Sequence, residues 1–313
     1  MKTSLIFMKT SRLFLMGLTA FALAACKKDM DNQTDGDMDN QTDGQVAAKI
    51  SANIKNVQTR AAGQSWEAGD KIGITCTSAG KTNYTNVLYI IDNPATGSFS
   101  STTPVYFQDL QEVTFSAYYP YNAAGGLLAA TTDATAQQNR SAIDFLFASG
   151  ATGDKNSPVV SFTDNGGKDN SFRHRMSWIT LTFEAGDGVD FSVVKPERYT
   201  LGGLILSGTF NTADGIATAD DGAQTGELTM NLADGNLTSS VILFPQTAAS
   251  LPLIVNYKSQ EYHDTLTVPE GALQAGNNYT YTVKVNATGL NVSECTIDNW
   301  GNGGSGSGNA TMQ

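Results

Sequence analysis

The chain has 313 residues and a formal net charge of −11, long enough for two ordinary domains. A surface this acidic repels phosphate backbones, which excludes nucleic acid as a partner. Charged residues make up only 16% while glycines number 31, a balance that suits strands and turns better than a helical cytosolic protein.

Lys2, Lys9 and Arg12 form a positive n-region, and Leu13 to Ala22 is an apolar run too short to be a membrane helix. Leu23-Ala24-Ala25-Cys26 follows, and small residues just before a Cys resemble the bacterial lipobox. That resemblance implies a signal peptide over residues 1–25 and diacylation of the Cys26 thiol. The lipid would hold the protein to a membrane surface without spanning it. Cys26-Lys27-Lys28-Asp29-Met30-Asp31 is similar to the acidic surface-export signal of Bacteroidetes lipoproteins. No later stretch reaches the roughly 18 apolar residues of a spanning helix.

Residues 26–45 read as a flexible tether. Met30-Asp31-Asn32-Gln33-Thr34-Asp35-Gly36 recurs as Met38-Asp39-Asn40-Gln41-Thr42-Asp43-Gly44, with too little apolar content to bury a core. Asp31, Asp35 and Gly36 fit part of a calcium loop, but Gln33 and Thr42 stand where Asp or Asn and the bidentate Glu belong. A solvated spacer is the reading adopted.

Val46, Ala48, Ile50, Ala52 and Ile54 alternate with polar or small residues, which predicts one half-buried strand. Asn56 to Gly63 reads as a loop. From Trp66 on, strand and turn alternate. Ile72, Ile74 and Cys76 share a face, as do Val113, Phe115, Ala117 and Tyr119 before Pro120. Asn86 to Ile91 is a short apolar run, and Ile143 to Ala148 is either a short strand or a single helical turn. Ile179, Leu181 and Phe183 alternate, as do Leu228, Met230 and Leu232, then Tyr279, Tyr281, Val283 and Val285. Leu253, Val255 and Tyr257 lead through Lys258 to Glu261 into Tyr262–Val268, a predicted hairpin. Many short strands between turn residues predict an all-β protein built of β-sandwiches. The most loop-like interior segment, residues 164–170, sets a domain boundary between 46–165 and 166–300, and the Gly/Ser-rich residues 301–313 read as a flexible tail. Cys76 and Cys295 either pair, as exported cysteines can, or stay as buried thiols.

Several segments, taken in order, resemble the fimbrillin family of Bacteroidetes: the major- and minor-fimbrium subunits and their Mfa-like relatives. They are Thr59-Arg60-Ala61, Trp66 to Ile74 (WEAGDKIGI), Phe115 to Tyr121 (FSAYYPY), Phe172 to Ser177 (FRHRMS), Gly276 to Val283 (GNNYTYTV) and Ile297-Asp298-Asn299-Trp300. The resemblance spans residues 46–300. It implies two tandem transthyretin-like β-sandwich domains and a role in assembly or adhesion, with no catalysis and no cofactor. It also implies a mechanism. Cutting between Arg60 and Ala61 would release the lipid, the tether and the first strand, and a strand from another fimbrial subunit would take its place. Arg60 is equally readable as an ordinary loop residue, with the first strand kept for good. Family stalk subunits carry a C-terminal donor segment, yet after Trp300 only Met312 offers a large anchor. Either residues 290–300 act as donor, or the chain is a tip, anchor or non-polymerising member. Expected partners are other subunits, outer-membrane lipid through Cys26, and a host or bacterial surface receptor.

Little else suggests chemistry. His174, between Arg173 and Arg175, reads as structural, and His263 beside Asp264 has no Gly-x-Ser-x-Gly elbow to serve. Gly80-Lys81-Thr82 lacks the upstream Gly of a phosphate loop, since Thr75 stands there. No metal site is expected. Asp264-Thr265-Leu266 is similar to the Bacteroidetes O-glycosylation motif, which marks Thr265. Tyr118, Tyr119 and Tyr121 read as packing, or as an aromatic platform for the alternative function, a monomeric glycan-binding surface lipoprotein.

Overall fold

The computed structural model describes residues 44–55, 65–233 and 235–300. Cys26, nearly all of the tether, Arg60, Ala61 and the tail after Trp300 lie outside the described residues. Among the described residues the only helical elements are three short 3₁₀ turns, and the chain is all-β.

The first eleven strands are β1 (Val46–Ala47), β2 (Lys49–Ala52), β3 (Lys71–Ser78), β4 (Tyr84–Asn93), β5 (Ser98–Ser100), β6 (Tyr106–Phe107), β7 (Val113–Tyr119), β8 (Leu127–Thr131), β9 (Leu146–Gly153), β10 (Val159–Phe162) and β11 (Arg173–His174). Eight of them form one sheet in the order β10-β2-β5-β4-β3-β7-β9-β11. The sheet curls until its ends meet, because Ile54, just past β2, bridges Phe172, just before β11. Alternation explains its inner face: Ile72, Ile74 and Cys76 on β3 and Val113, Phe115 and Ala117 on β7 all enter one core.

The remaining strands are β12 (Ser177–Ala185), β13 (Arg198–Leu204), β14 (Ser207–Asn211), β15 (Ala217–Ala219), β16 (Gly226–Asn231), β17 (Thr238–Leu243), β18 (Gln246–Thr247), β19 (Ser250–Tyr257), β20 (Gln260–Thr267), β21 (Ala272–Leu273), β22 (Asn277–Asn286), β23 (Gly289–Val292) and β24 (Thr296–Asn299). Two sheets, β17-β12-β22-β23 with β24 also on β22, and β16-β13-β19-β20, enclose a second core. The predicted hairpin is β19–β20, turned by Lys258 and Ser259 at φ 50° and 60°, the left-handed geometry that two-residue hairpin loops require.

Several strands carry side chains into two cores at once. On β7 Ala117 enters the first core and its neighbour Tyr118 a third; on β9 Leu146 and Phe147 divide the same way. On β12 and β17, Ile179 and Val241 enter the second core while Trp178 and Ile242 enter the third. The third core therefore lies between the two halves, where back faces meet. Phe210 sits in it, stacked on Phe145 at 4.6 Å. The halves also share a ladder, since β8 pairs with β14 from Leu127↔Asn211 to Thr131↔Ser207. The first core takes in Phe172 and its sheet reaches His174, so the change from first to second core falls between His174 and Ser177.

One difference from the sequence reading concerns residues 46–54. They form no single strand, because the pairing partner changes along them: β1 lies on β6, β2 lies between β10 and β5, and Ile54 makes only an isolated bridge. Cys76 lies in the first core, where burial pushes its thiol up to about 11, and Cys295 packs against the second; both are free.

Phe210→Ala should cost about 3–5 kcal/mol, the usual range for emptying a buried aromatic site. Because the third core and the β8–β14 ladder join the halves, chemical denaturation of the variant should show a single shifted transition, read alike by probes in both halves.

Candidate functional site

The first segment is held along its whole length. Val46 and Ala47 pair with Phe107 and Tyr106, and the Ala48 N–H donates to the Val105 carbonyl at 2.8 Å. β2 then runs parallel to β10, with Ile50 beside Val160 and Ala52 beside Phe162, and antiparallel to β5, with Ile50 opposite Phe99. Beyond it, the Phe172 N–H donates to the Asn53 carbonyl at 3.0 Å and the Lys55 N–H to the Phe172 carbonyl at 2.8 Å. Ala48, Ile50, Ala52 and Ile54 are buried in the first core, whereas Lys49 and Asn53 face solvent. Val46 is only half-buried.

Two features fix the far end of this segment. The Trp66 indole N–H donates to the Ala52 carbonyl at 2.7 Å, and its ring meets Phe99 and Phe172 edge-on at 5.1 Å each. Gly97, at φ 64°, passes so close to the Ala52 carbonyl that a Cβ there would collide with it. The second feature is charged. Lys55 Nζ lies 2.8 Å from both Asp164 Oδ2 and Asp169 Oδ2, and Arg173 reaches Asp169 Oδ2 at 2.7 Å. Asp164 and Asp169 face each other across an antiparallel bridge, which holds their carboxylates together. Partial burial pushes Asp169 up, but hydrogen bonds from Lys55 and Ser171 and the Arg173 charge outweigh it and hold the carboxyl at about 2. Asp164 is lowered by the Lys55 hydrogen bond, and Lys55 is raised by those to Asp164 and Asp169.

Two hollows of about 170 and about 510 Å³ open where the segment ends. Ile54, Ser65 and Trp66 line both. In the smaller, the Tyr119 hydroxyl donates to Asp70 Oδ1 at 3.1 Å, and burial with the Asp70 charge pushes the phenol up. The tyrosine cluster presents no open platform: Tyr118 is buried with its hydroxyl on Asn86 Oδ1 at 2.7 Å, while Tyr119 and Tyr121 are half-buried and pack on the first and third cores.

The other sequence-predicted residues lie elsewhere. His174 is buried, with Nδ1 2.7 Å from Asp144 Oδ1 and its ring stacked on Trp300 at 3.7 Å, so its ring is engaged in packing between the halves. His263 is exposed on β20, 3.9 Å from Glu261. Thr265 is exposed on the same strand, its N–H bonded to Asp264 Oδ1 at 2.8 Å. Cys26, Arg60 and Ala61 fall outside the described residues. Sequence reasoning overlooked Lys55, Asp164 and Asp169 as a unit. The available sign was a lone base directly after the last apolar residue of an alternating run.

A family profile described as fimbrillin-like matches residues 59–300. The chain is 28% identical over 323 residues, 97% of this chain and 100% of the relative, to a candidate fimbrium subunit, Fim1C, of Bacteroides uniformis. Among solved structures, a candidate cell adhesion protein from Bacteroides ovatus matches with a TM-score of 0.67 and 30% identity, covering 82% of this chain and 98% of that one. The tip fimbrial protein Mfa3 of Porphyromonas gingivalis, determined with a C-terminal truncation, shares the fold at a TM-score of 0.50 and 9% identity, over 82% and 100% of the chains.

A carboxyl that titrates lower in the folded state contributes stability that is complete above its unfolded value and fades as pH falls through the folded one. For Asp169 that window runs from 3.8 down to about 2. Asp169→Asn should lose stability at neutral pH and then change less than the parent between pH 4 and 2, as read by denaturant titrations at stepped pH.

Proposed function

The chain belongs to the fimbrillin-like family, and on that footing we propose that it is a cell-surface fimbrial subunit whose first segment occupies a groove later filled by a neighbouring subunit. In this reading, the two halves, divided between His174 and Ser177, are tandem transthyretin-like domains. The Cys26 lipid holds the precursor on the outer membrane, and cleavage at Arg60–Ala61 frees the folded body for assembly. Adhesion to a host or bacterial surface receptor is then the work of the assembled fimbrium, with Thr265 a candidate for O-glycosylation.

The observation that carries this reading is the seat of residues 46–55. Ala48, Ile50, Ala52 and Ile54 fill the first core, and their backbone satisfies β5 on one side and β10 on the other. Loss of that segment would leave two unpaired edges beside an apolar groove, a state that demands another strand. A strand from a neighbour supplies the same backbone bonds and alternate anchors. The extent of the family match, which starts at residue 59 beside Arg60, also supports a division at that point.

An accessory place in the fimbrium, at the tip or the anchor, suits residues 290–300 better than a donor role. They are already committed: β24 pairs with β22 and Trp300 is stacked on His174. Serving as donor would pull Trp300 out of the junction between the halves.

Arginine-specific proteolysis of the surface-displayed protein, followed by N-terminal sequencing, tests the mechanism. A new terminus at Ala61 together with higher-order assemblies is the expected result, and Arg60→Ala should remain lipid-anchored and unassembled. An acylated Cys26 species as the sole surface form would overturn it.

A further inference from the structure

We infer that the facing carboxylates of Asp164 and Asp169 are the register stop of this groove, and that any strand replacing residues 46–55 carries a Lys or Arg directly after its last buried aliphatic residue. The inference rests on the displaceable-segment reading above, and adds what kind of strand the groove accepts.

The apolar pattern alone does not define one register. A slip of one residue turns every anchor to the wrong face. A slip of two places an Ile where Ala52 is fully buried, its carbonyl bonded by Trp66 and closely approached by Gly97, so overpacking opposes it. A slip of four is different. It brings Ala48 to the place of Ala52 and Ile50 to the place of Ile54, small for small and large for large. Sterics accept that shifted strand at those positions.

The charged end does not accept it. After a slip of four, Ser51 stands where Lys55 stood, and Asp164 and Asp169 lose the ammonium that lies 2.8 Å from each. Arg173 still serves Asp169, but among the described residues Lys55 is the sole ion-pair partner of Asp164. The pair cannot relax apart easily. Asp164 and Asp169 are bridged across the turn, Asp164 Oδ1 accepts from the Gly166 N–H at 2.9 Å, and Asp169 Oδ1 accepts from the Ser171 N–H at 3.1 Å. Two fixed carboxylates at the end of an apolar groove therefore select for a cation at one position of the incoming strand. Surface ion pairs add little to overall stability, yet a modest difference suffices to choose between registers that are otherwise matched. The selection should weaken in high salt.

The test uses the full-length protein with a specific protease site engineered into residues 58–62, nicked there so that exchange does not depend on natural cleavage. Fluorescently labelled peptides of residues 46–55 are offered in excess, and uptake is followed by anisotropy. The native peptide and its Lys55→Arg form should enter, while the Lys55→Glu form should bind at least tenfold more weakly. Converting Asp164 and Asp169 to Lys in the protein should invert that order. Equal uptake of all three peptides would overturn the register stop while leaving strand replacement intact. Failure of even the native peptide to enter would overturn strand replacement itself, and this inference with it.

Discussion

A backbone N–H or C=O in a sheet must find a partner, and a groove lined by aromatic rings must be kept from water. Both demands converge on residues 46–55. The segment lies where the ends of the curled eight-stranded sheet come together, parallel to one neighbour and antiparallel to the other. Most of the first sandwich depends on that closure. Trp66, Phe99, Phe162 and Phe172 pack around positions that the segment fills, and Ile54 is the bridge through which the curl shuts.

The second half has two separate sheets around one core, where the first has one sheet curled upon itself. What unites the halves is burial on both faces of four strands. Runs such as Leu146-Phe147 and Val241-Ile242-Leu243-Phe244 have no polar alternate positions, because each face meets a core. The junction is consequently a packed interior, and a change in one half is felt in the other.

Much of this was legible in the sequence, and the parts that were not share a cause. Period-two alternation located β3, β7, β12 and β22 because each has one plainly apolar face. The Lys258–Ser259 turn was bracketed by such runs. β13, the centre of a sheet, went unread: Gly202 and Gly203 interrupt its pattern, with Gly203 at φ 72° beside a bulge. β8 and β10 are only five and four residues long, too short for alternation to stand out, so only their partners define them. The first segment showed its alternation but not its change of partners. The Lys55 clamp joins residues more than a hundred positions apart, and no local pattern encodes that distance.

Trp300 carries a consequence for the order of events in folding. Its ring lies on His174, at the end of the first half, and edge-on to Trp178, at the start of the second. The seam between the halves is therefore complete only once the last described residue is in place. Contacts between residues so far apart in sequence are slow to form, which places this one among the later closures of the fold.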